Sequence, residues 1–240
     1  MRGVIHAHSY HSHDSLVRID KLIDRAVEEE LDFFILTDHD TINGSLELRR
    51  RLAERGIHLI APIAAEYKTE YGDIIAAFIT REVKEREFSK FVAEVKRQGG
   101  LLMLPHAYEA HPLDHIAEIV KPMDLIEVFN SRCTDAQDLN CSNLATEYNK
   151  LVFFGSDSHL ESELCNVTVE IDGECSEEGV KHAITYNEMR IFKGEKISIR
   201  NLRFSQLIKA VKKKRLGVFY RNIVAILIDA FRLGWQKRVG

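Results

Sequence analysis

The sequence predicts an α/β fold in which a parallel β-sheet is covered by helices. Short, continuously apolar runs of strand length recur along the chain, and stretches with helical periodicity separate them. Continuously apolar strands that alternate with helical segments are typical of parallel sheets buried on both faces. The clearest runs are Val4-Ile5, FFIL from Phe33, HLIAPIA from His58, LLML from Leu101, LIEVF from Leu125 and LVFF from Leu151, with further runs at IIAAFI from Ile74 and VTVEI from Val167.

The segments between these runs are amphipathic and long enough for helical crossovers. They lie at 18–30, 46–55, 82–98 and 134–150. The chain of 240 residues is 45% hydrophobic, which is enough for one full core and is a common size for a barrel. Proline is scarce and we find no internal repeat. We therefore predict a single catalytic unit over residues 1–199 and a separate tail over 200–240.

The tail differs from the rest of the chain in charge. It contains eleven Lys and Arg residues and a single acidic residue, Asp229, whereas the whole chain has a formal charge of −4. Its apolar segment, 216–235, is interrupted by Arg221, Asp229 and Arg232, so a membrane-spanning helix is not expected. We predict a basic amphipathic helix that lies on an anionic membrane surface, packs on its own barrel or contacts a second copy, and that contributes nothing to the functional site.

Cysteine usage and the N-terminal sequence favour a cytoplasmic location, with peripheral membrane attachment through the tail as an open alternative. The four cysteines form no C-x-x-C pair, and residues 1–14 lack the apolar core of a signal peptide.

Polar residues follow almost every apolar run. His6-Ala7-His8 follows the first, TDHD at 37–40 the second, and Glu66, His106, NSR at 130–132 and SDSH at 156–159 follow later ones. In parallel barrels these strand ends converge on one face, where active sites form. An H-x-H pair alone is weak evidence, and Asp or Ser here also suits helix capping. Their joint occurrence predicts a site for zinc, iron or manganese.

These motifs, in this order, resemble the polymerase and histidinol phosphatase (PHP) family of metal-dependent phosphoesterases. The similarity runs from H-x-H at 6–8 through LTDHDTINGS, Glu66, Pro105-His106 and IEVFNSR to GSDSH, over about residues 4–195. The resemblance implies a distorted (β/α)7 barrel with up to three divalent metals at the C-terminal ends of its strands. It also implies phosphoester hydrolysis, although the family includes exonucleases, small-molecule phosphatases and catalytically silent members.

The resemblance also implies which residues hold the metals. His6, His8, Glu66 and Asp157 would bind one ion, Glu66 and His106 a second, and Asp14, His39 and His159 a third. Asp73 stands where many relatives have a histidine on the strand after the bridging Glu, and a carboxylate there favours harder ions such as Mn²⁺. His13 and Asp14 both fit the spacing of the ligand after H-x-H. We favour Asp14, with His13 lining the mouth of the site.

The predicted reaction uses two or three ions of Mn, Zn or Fe. A metal-bridging hydroxide would attack the phosphorus atom while the ions clamp the attacking and leaving oxygens. Asp38 either orients the His39 ring or caps a helix, and Asp40 is expected to cap. Arg132 either binds a substrate phosphate or forms a surface salt bridge. The general acid is His159, His13 or water.

We expect the substrate to be a small phosphorylated molecule. Residues 1–199 contain 22 Lys and Arg residues and 36 Asp and Glu residues. This negative charge argues against binding of extended nucleic acid, which needs Lys and Arg to neutralise phosphates. The alternatives are a nuclease or phosphodiesterase acting on nucleotides, an amidohydrolase or deacetylase, and a non-catalytic metal-stabilised binding module. Amidohydrolase barrels commonly use a metal-bridging lysine, and no lysine ends a strand run here.

Overall fold

Strands and helices alternate along the chain in a computed structural model, which describes residues 1–186, 189–215, 217–224 and 226. The strands are β1 (Arg2–Ile5), β2 (Phe33–Ile35), β3 (Ala64–Thr69), β4 (Gly72–Ala77), β5 (Leu101–Leu104), β6 (Leu125–Asn130), β7 (Leu151–Gly155), β8 (Val167–Glu170) and β9 (Arg190–Gly194). The helices are α1 (Ile19–Glu28), α2 (Asn43–Arg55), α3 (Phe88–Arg97), α4 (Ala107–Ala110), α5 (Ile116–Val120), α6 (Asp135–Glu147), α7 (Glu177–Tyr186) and α8 (Ile199–Lys212), and 217–224 are also helical.

The strands form two sheets. One has the order β2-β1-β8-β9 and the other the order β3-β4-β5-β6-β7. At the junctions between the sheets, isolated bridges pair Ala7 with Ser158 and His39 with Glu66. The α/β class is confirmed, but the expected (β/α)7 barrel is not, because among the described residues isolated bridges, and no continuous ladder, join the two sheets.

The expectation of an entirely parallel sheet is also wrong. β3 and β4 are joined by only two residues, Glu70 and Tyr71, and pair antiparallel over their whole length. A parallel pair needs a crossover of a dozen or more residues, so this connection can only make a hairpin. β8 likewise runs antiparallel to β1, whereas β1 and β2, β5 and β6, and β6 and β7 are parallel pairs.

The third strand lies later in the chain than the apolar run from His58 predicts. β3 begins at Ala64, so Glu66 lies within the strand and not after it. Pro62, inside the predicted run, has no N–H to donate to a ladder, which explains why regular pairing starts beyond it. Glu66 is in register with Ile75 of β4, and Ile75 belongs to the central core. The Glu66 side chain therefore lies above that core.

The central core lies between the two sheets and supports the strand ends. Inward side chains from both sheets, including Ile5, Ile35, Ile75, Met103 and Phe153, form one buried cluster. A second cluster packs β3–β6 against α3 and α6, and a third packs β1 and β2 against α1 and α2. Side chains at alternate positions of a strand point to opposite faces. The inward-pointing side chains of each strand therefore lie either in this core or in the polar site above it.

The tail begins with α8, and the Ser198 side chain caps the N-terminus of this helix by accepting a hydrogen bond from the Asn201 backbone N–H. None of the described helices is long and apolar enough to cross a membrane. Of the predicted amphipathic segment, residues 216, 225 and 227–235 lie outside the described residues, as do 236–240. The prediction for that segment therefore stays a prediction.

Candidate metal centre

Side chains from four strand ends, from within β3 and from one loop meet in a single buried cluster. His6 and His8 follow β1, His39 follows β2, Glu66 lies in β3, His106 follows β5, and Asp157 and His159 follow β7, while Asp14 comes from the loop before α1. Apart from His39, each of these residues is buried. Histidine and aspartate are rarely buried without a specific partner, so this concentration marks a functional site.

The Glu66 carboxylate is at the centre of the cluster. Oε2 lies 3.6 Å from His6 Nε2, 3.4 Å from His8 Nε2 and 3.2 Å from His39 Nδ1, and Oε1 lies 3.0 Å from His106 Nε2. Four imidazoles therefore share one carboxylate, which is the arrangement expected of a group that bridges neighbouring ions.

Two further carboxylates complete the cluster. Asp157 Oδ1 lies 3.5 Å from His6 Nε2 and 3.3 Å from His8 Nε2. Asp14 Oδ2 lies 3.2 Å from His39 Nε2, and Asp14 Oδ1 lies 3.4 Å from His159 Nε2. The Asp14, His39 and His159 group predicted from the sequence is thus brought together beside the group that surrounds Glu66.

A layer of hydrogen bonds beneath the cluster fixes its geometry. Glu127 of β6 accepts a hydrogen bond from His6 Nδ1 at 2.8 Å, from the His106 backbone N–H at 2.7 Å and from Asn130 Nδ2 at 2.8 Å. Asn130 Nδ2 also lies 3.2 Å from Asp157 Oδ2. In the neutral ring, donation from Nδ1 leaves Nε2 of His6 with a lone pair that faces Glu66 and Asp157, which is how outer carboxylates orient ligating histidines.

The backbone is strained at three of these residues. His6, His106 and Asp157 have φ angles of 64°, 28° and 47°, in the left-handed region that non-glycine residues rarely occupy. His6 directly follows β1, and His106 and Asp157 lie two residues after the ends of β5 and β7, so the left-handed turn redirects the chain near the end of each strand. Backbone strain of this kind clusters at functional sites, because the surrounding structure must stabilise it.

The electrostatics of the cluster keep its carboxylates ionised. Burial acts to raise the pKa of Glu66, but the neighbouring imidazoles, His39 first, outweigh it and hold that pKa well below its usual range. Asp157 behaves in the same way, chiefly through His6. Burial and the His159 ring lower the pKa of His8 to about 3, so its imidazole is neutral at pH 7. Ionised carboxylates and neutral imidazoles are the protonation states that metal ligation requires. Against burial, the neighbouring carboxylates raise the pKa of His6 and raise those of His39 and His106 to about 9 and about 10, so a metal ion would displace protons from these three rings.

The donor atoms fit divalent metal ions. Several buried atoms have no hydrogen-bond partner among the described residues, including His6 Nε2, His8 Nε2, Glu66 Oε2 and Asp14 Oδ1. Buried polar atoms are normally paired, so unpaired atoms that face one another point to a ligand. Three groups have donor atoms within 4.8 Å of one another, namely His6 with His8 and Asp157, His6 with Glu66 and His106, and His8 with Asp14, His39 and His159.

Comparison with known proteins places this arrangement in a family. The model of the PHP domain matches residues 5–176, which is most of the chain. The chain belongs to the PHP domain family. The resemblance that the sequence motifs indicated is therefore confirmed.

Individual relatives of this PHP domain are distant. An uncharacterized protein of Methanocaldococcus jannaschii, MJ1587, is 29% identical over 124 residues, which are 49% of this chain and 69% of that protein. A two-domain protein from Bacteroides vulgatus, described as containing a predicted PHP-like metal-dependent phosphoesterase, has a TM-score of 0.64 at 19% identity. The match covers 81% of this chain and only 65% of that one.

A second solved structure, an amidohydrolase from Chromobacterium violaceum with bound sulfate and no metal, has a TM-score of 0.58 at 15% identity. The match covers 76% of this chain and 95% of the amidohydrolase chain. At these identities the two solved structures show that the fold is shared, and they do not identify the reaction.

Two residues predicted for the site of this PHP domain, Asp73 and His13, have more peripheral positions. Asp73 lines the cavity and lies 3.4 Å from Lys68 Nζ, but the three donor groups do not include it. His13 Nε2 lies 3.2 Å from Asp14 Oδ2, and burial lowers the pKa of His13 to about 3. Asp14, and not His13, is in a donor group, as we favoured.

The role predicted for Asp38 is corrected. Both ring nitrogens of His39 face other carboxylates, and Asp38 accepts hydrogen bonds from the Ser9 backbone N–H at 2.6 Å and the Ser9 hydroxyl at 2.7 Å. It therefore holds the loop after H-x-H. Helix capping by Asp40 is also wrong, because α2 begins after Ile42 without a side-chain cap, and Asp40 pairs with Arg86 instead.

Arg132 is half-buried at the edge of the site, and its side chain is only 8% exposed, so it does not form a surface salt bridge. Its Nη1 lies 3.2 Å from Glu163 Oε2 and 3.1 Å from His159 Nδ1, and its Nη2 donates to Ser205 Oγ of α8. Arg132 also lines the cavity above the cluster, so contact with a substrate phosphate stays open.

The first helix of the tail contributes to the site, contrary to our expectation. Above the cluster is a cavity of about 260 Å³. Lys209 of α8 reaches into it, with Nζ 3.2 Å from Asp14 Oδ2. The charge composition of the tail did not indicate that one of its lysines contacts a residue of the site. The lining residues are Asp14, His39, Glu66, Lys68, Asp73, His106, Glu109, Arg132, Asp157, His159, Ser205, Gln206 and Lys209.

Proposed function

We propose that this PHP domain is a metal-dependent phosphoesterase that hydrolyses a phosphate ester of a small molecule. The observation that carries the proposal is the meeting of three potential metal-binding groups around Glu66 at the base of one cavity, which the Arg132 guanidinium also lines. Neighbouring cation sites with a positively charged wall suit a phosphoryl group, whose charge is spread over several oxygens.

Three overlapping sets of residues would supply the ligands. His6, His8 and Asp157 form one set, His6, Glu66 and His106 a second, and His8, Asp14, His39 and His159 a third. His6 and His8 each belong to two sets, and because their Nδ1 atoms are hydrogen-bonded, each would bind a single ion through Nε2. Ions of Mn, Zn or Fe suit imidazole and carboxylate donors. When bound, such ions activate water as a nucleophile at neutral pH and neutralise charge on phosphoryl oxygens.

The residues of this chain supply orientation and charge. Glu127 fixes the His6 ring, and Ser12 links two others, since its Oγ lies 3.1 Å from His8 Nδ1 and accepts the His39 backbone N–H at 2.9 Å. Arg132 is held in place by Glu163, so it faces the cavity as a preorganised donor. Preorganised donors stabilise developing charge without having to reorganise during the reaction.

The cavity size supports a small substrate. A volume of about 260 Å³ lies just below the usual range of about 300–1,000 Å³ for small-molecule sites. α8 lies along one wall of the cavity, with Ser205, Gln206 and Lys209 in its lining. A phosphorylated metabolite of modest size fits this space better than an extended nucleic acid.

A substrate panel tests the proposal. Purified protein is loaded with Mn²⁺, Zn²⁺ or Fe²⁺ and assayed with p-nitrophenyl phosphate, bis-p-nitrophenyl phosphate and an N-acetyl sugar. We expect phosphate release from p-nitrophenyl phosphate and its loss in Glu66→Ala, because Glu66 contacts four imidazoles. Turnover of the N-acetyl sugar alone would indicate an amidohydrolase, and metal binding without any turnover would indicate a binding module; either result contradicts the proposal.

A further inference from the structure

α8 is fixed onto the loop that carries Asp14. The Lys212 ammonium donates to three backbone carbonyls, those of Tyr10 at 2.9 Å, Ser12 at 2.7 Å and Ser15 at 2.7 Å. An ammonium group has three donors, so all of its hydrogen bonds are used in this contact. The helix is therefore held at a defined position beside the site.

The same helix carries Lys209 one turn earlier, on the side that faces the cavity. Residues three apart on a helix share a face, so anchoring of Lys212 also positions Lys209. Lys209 Nζ lies 3.2 Å from Asp14 Oδ2, and its side chain is 34% exposed. Ser205, one turn before it, accepts from Arg132 and holds the other end of this helix face.

Among the described residues, three lysine and arginine cations line the cavity, and one of them, Lys68, pairs with Asp73. The other two, Arg132 and Lys209, come from different elements, and their surroundings differ. The Arg132 guanidinium is engaged by Glu163, His159 and Ser205. Lys209 contacts Asp14 through one of its three donors, so it retains hydrogen-bonding capacity toward the cavity. A lysine acts on phosphate as a compact point charge.

We propose that Lys209 binds the terminal phosphate of the substrate and makes the protein prefer phosphomonoesters to phosphodiesters. The inference rests on the proposed function and specifies its substrate class. A monoester phosphate carries a charge of about −2 near pH 7, whereas a diester has lost one anionic oxygen to its second ester bond. A further cation at the cavity wall, besides Arg132, therefore favours the dianion. The second ester group would also have to fit beside α8.

The test compares Lys209→Ala and Lys209→Arg with a matched control, Lys213→Ala. Lys213 is exposed, lies one turn further along the chain and carries the same charge. Each metal-loaded protein is assayed on p-nitrophenyl phosphate and bis-p-nitrophenyl phosphate. Binding of inorganic phosphate is measured by calorimetry, and metal content by elemental analysis.

We expect Lys209→Ala to raise KM for the monoester and to weaken phosphate binding about tenfold or more, which is the usual effect of losing a charge-assisted hydrogen bond. Its kcat, its metal content and its activity on the diester should change little. Lys209→Arg should recover most of the phosphate affinity, and Lys213→Ala should match the wild type.

Three outcomes would overturn the inference. They are unchanged phosphate affinity in Lys209→Ala, an equal loss on monoester and diester, and loss of metal in both Lys209 variants, which would show that Lys209 only stabilises Asp14. Failure of the proposed function is a separate result. A wild-type protein that hydrolyses no phosphate ester, yet binds phosphate through Lys209, would contradict the reaction and leave the phosphate contact intact.

Discussion

Glu127 Oε1 lies 2.8 Å from His6 Nδ1, and both groups are completely buried. The other Glu127 oxygen accepts the backbone N–H of His106 at 2.7 Å. A single carboxylate of β6 therefore sets the ring orientation of one candidate ligand and the backbone position of another. His6 and His106 follow strands that lie in different sheets, so Glu127 connects the two sheets at the candidate metal centre.

Substitution of Glu127 tests this connection. Glu127→Gln preserves the shape of the side chain but removes the charge that holds the Nδ1 proton of His6. We expect metal affinity to fall about 10- to 100-fold, as is usual when an outer partner of a ligating histidine is changed. Metal retained after dialysis against a graded chelator measures the effect. Glu147→Gln, at an exposed position of α6, is the control, and equal retention by the two variants would exclude the proposed role.

Gly155 leaves the space that Glu127 occupies. A Cβ at position 155 would overlap the Glu127 carboxylate, and it would also lie 3.2 Å from His6 Cβ. We expect Gly155→Ala to destabilise the fold by about 1–3 kcal/mol, the usual cost of overpacking, and to lower metal content as well. Thermal unfolding and elemental analysis measure the two effects. Gly217→Ala, which has no heavy atom within 4 Å of the added Cβ, should change neither. A stable Gly155→Ala protein with normal metal content would contradict the prediction.

The sequence revealed the candidate ligands but not their support. His6, Asp157 and most of the others could be found because each lies at or near the end of an apolar run, and strand ends converge. Asp14, in the loop before α1, was indicated by the family resemblance. Glu127 lies inside such a run, LIEVF, where position alone does not distinguish a buried carboxylate from one at the sheet surface. Its burial depends on Gly155 in a neighbouring strand, which is a tertiary relationship.

The path of the tail could not be predicted for a similar reason. Lys212 is anchored by backbone carbonyls, and these are present at every residue, so they leave no pattern in the sequence. The net charge of the tail suggested an anionic surface as its partner. In the structure Lys209 instead contacts Asp14, an acidic residue of the site itself. The sequence also did not reveal that the strands form two sheets and not one closed barrel, because this depends on pairing between strands that are distant in the chain.

Asp73 tests whether the second ion has an additional carboxylate ligand. Burial and the negative charge of the nearby Glu66 raise the pKa of Asp73. Asp73 therefore interacts electrostatically with the candidate metal centre, although its ion pair is with Lys68. We expect Asp73→Ala to lower metal content and activity, and Asp73→His to favour zinc or iron over manganese. Elemental analysis after growth in mixed metals measures both. Unchanged stoichiometry and selectivity would show that Asp73 serves only the β3–β4 hairpin.

Asp14 and His13 are adjacent in the sequence, and paired substitutions decide which of them holds an ion. Asp14 lies within 3.4 Å of both His39 and His159, whereas the contact of His13 is with Asp14 itself. We therefore expect Asp14→Ala to lose one ion per chain and His13→Ala to retain the full number, with a smaller effect on activity. Metal stoichiometry of the two variants, purified side by side, provides the measurement. If His13→Ala loses the ion and Asp14→Ala keeps it, the assignment is reversed, and the Lys209 contact with Asp14 would then belong to the wall of the cavity and not to the metal centre.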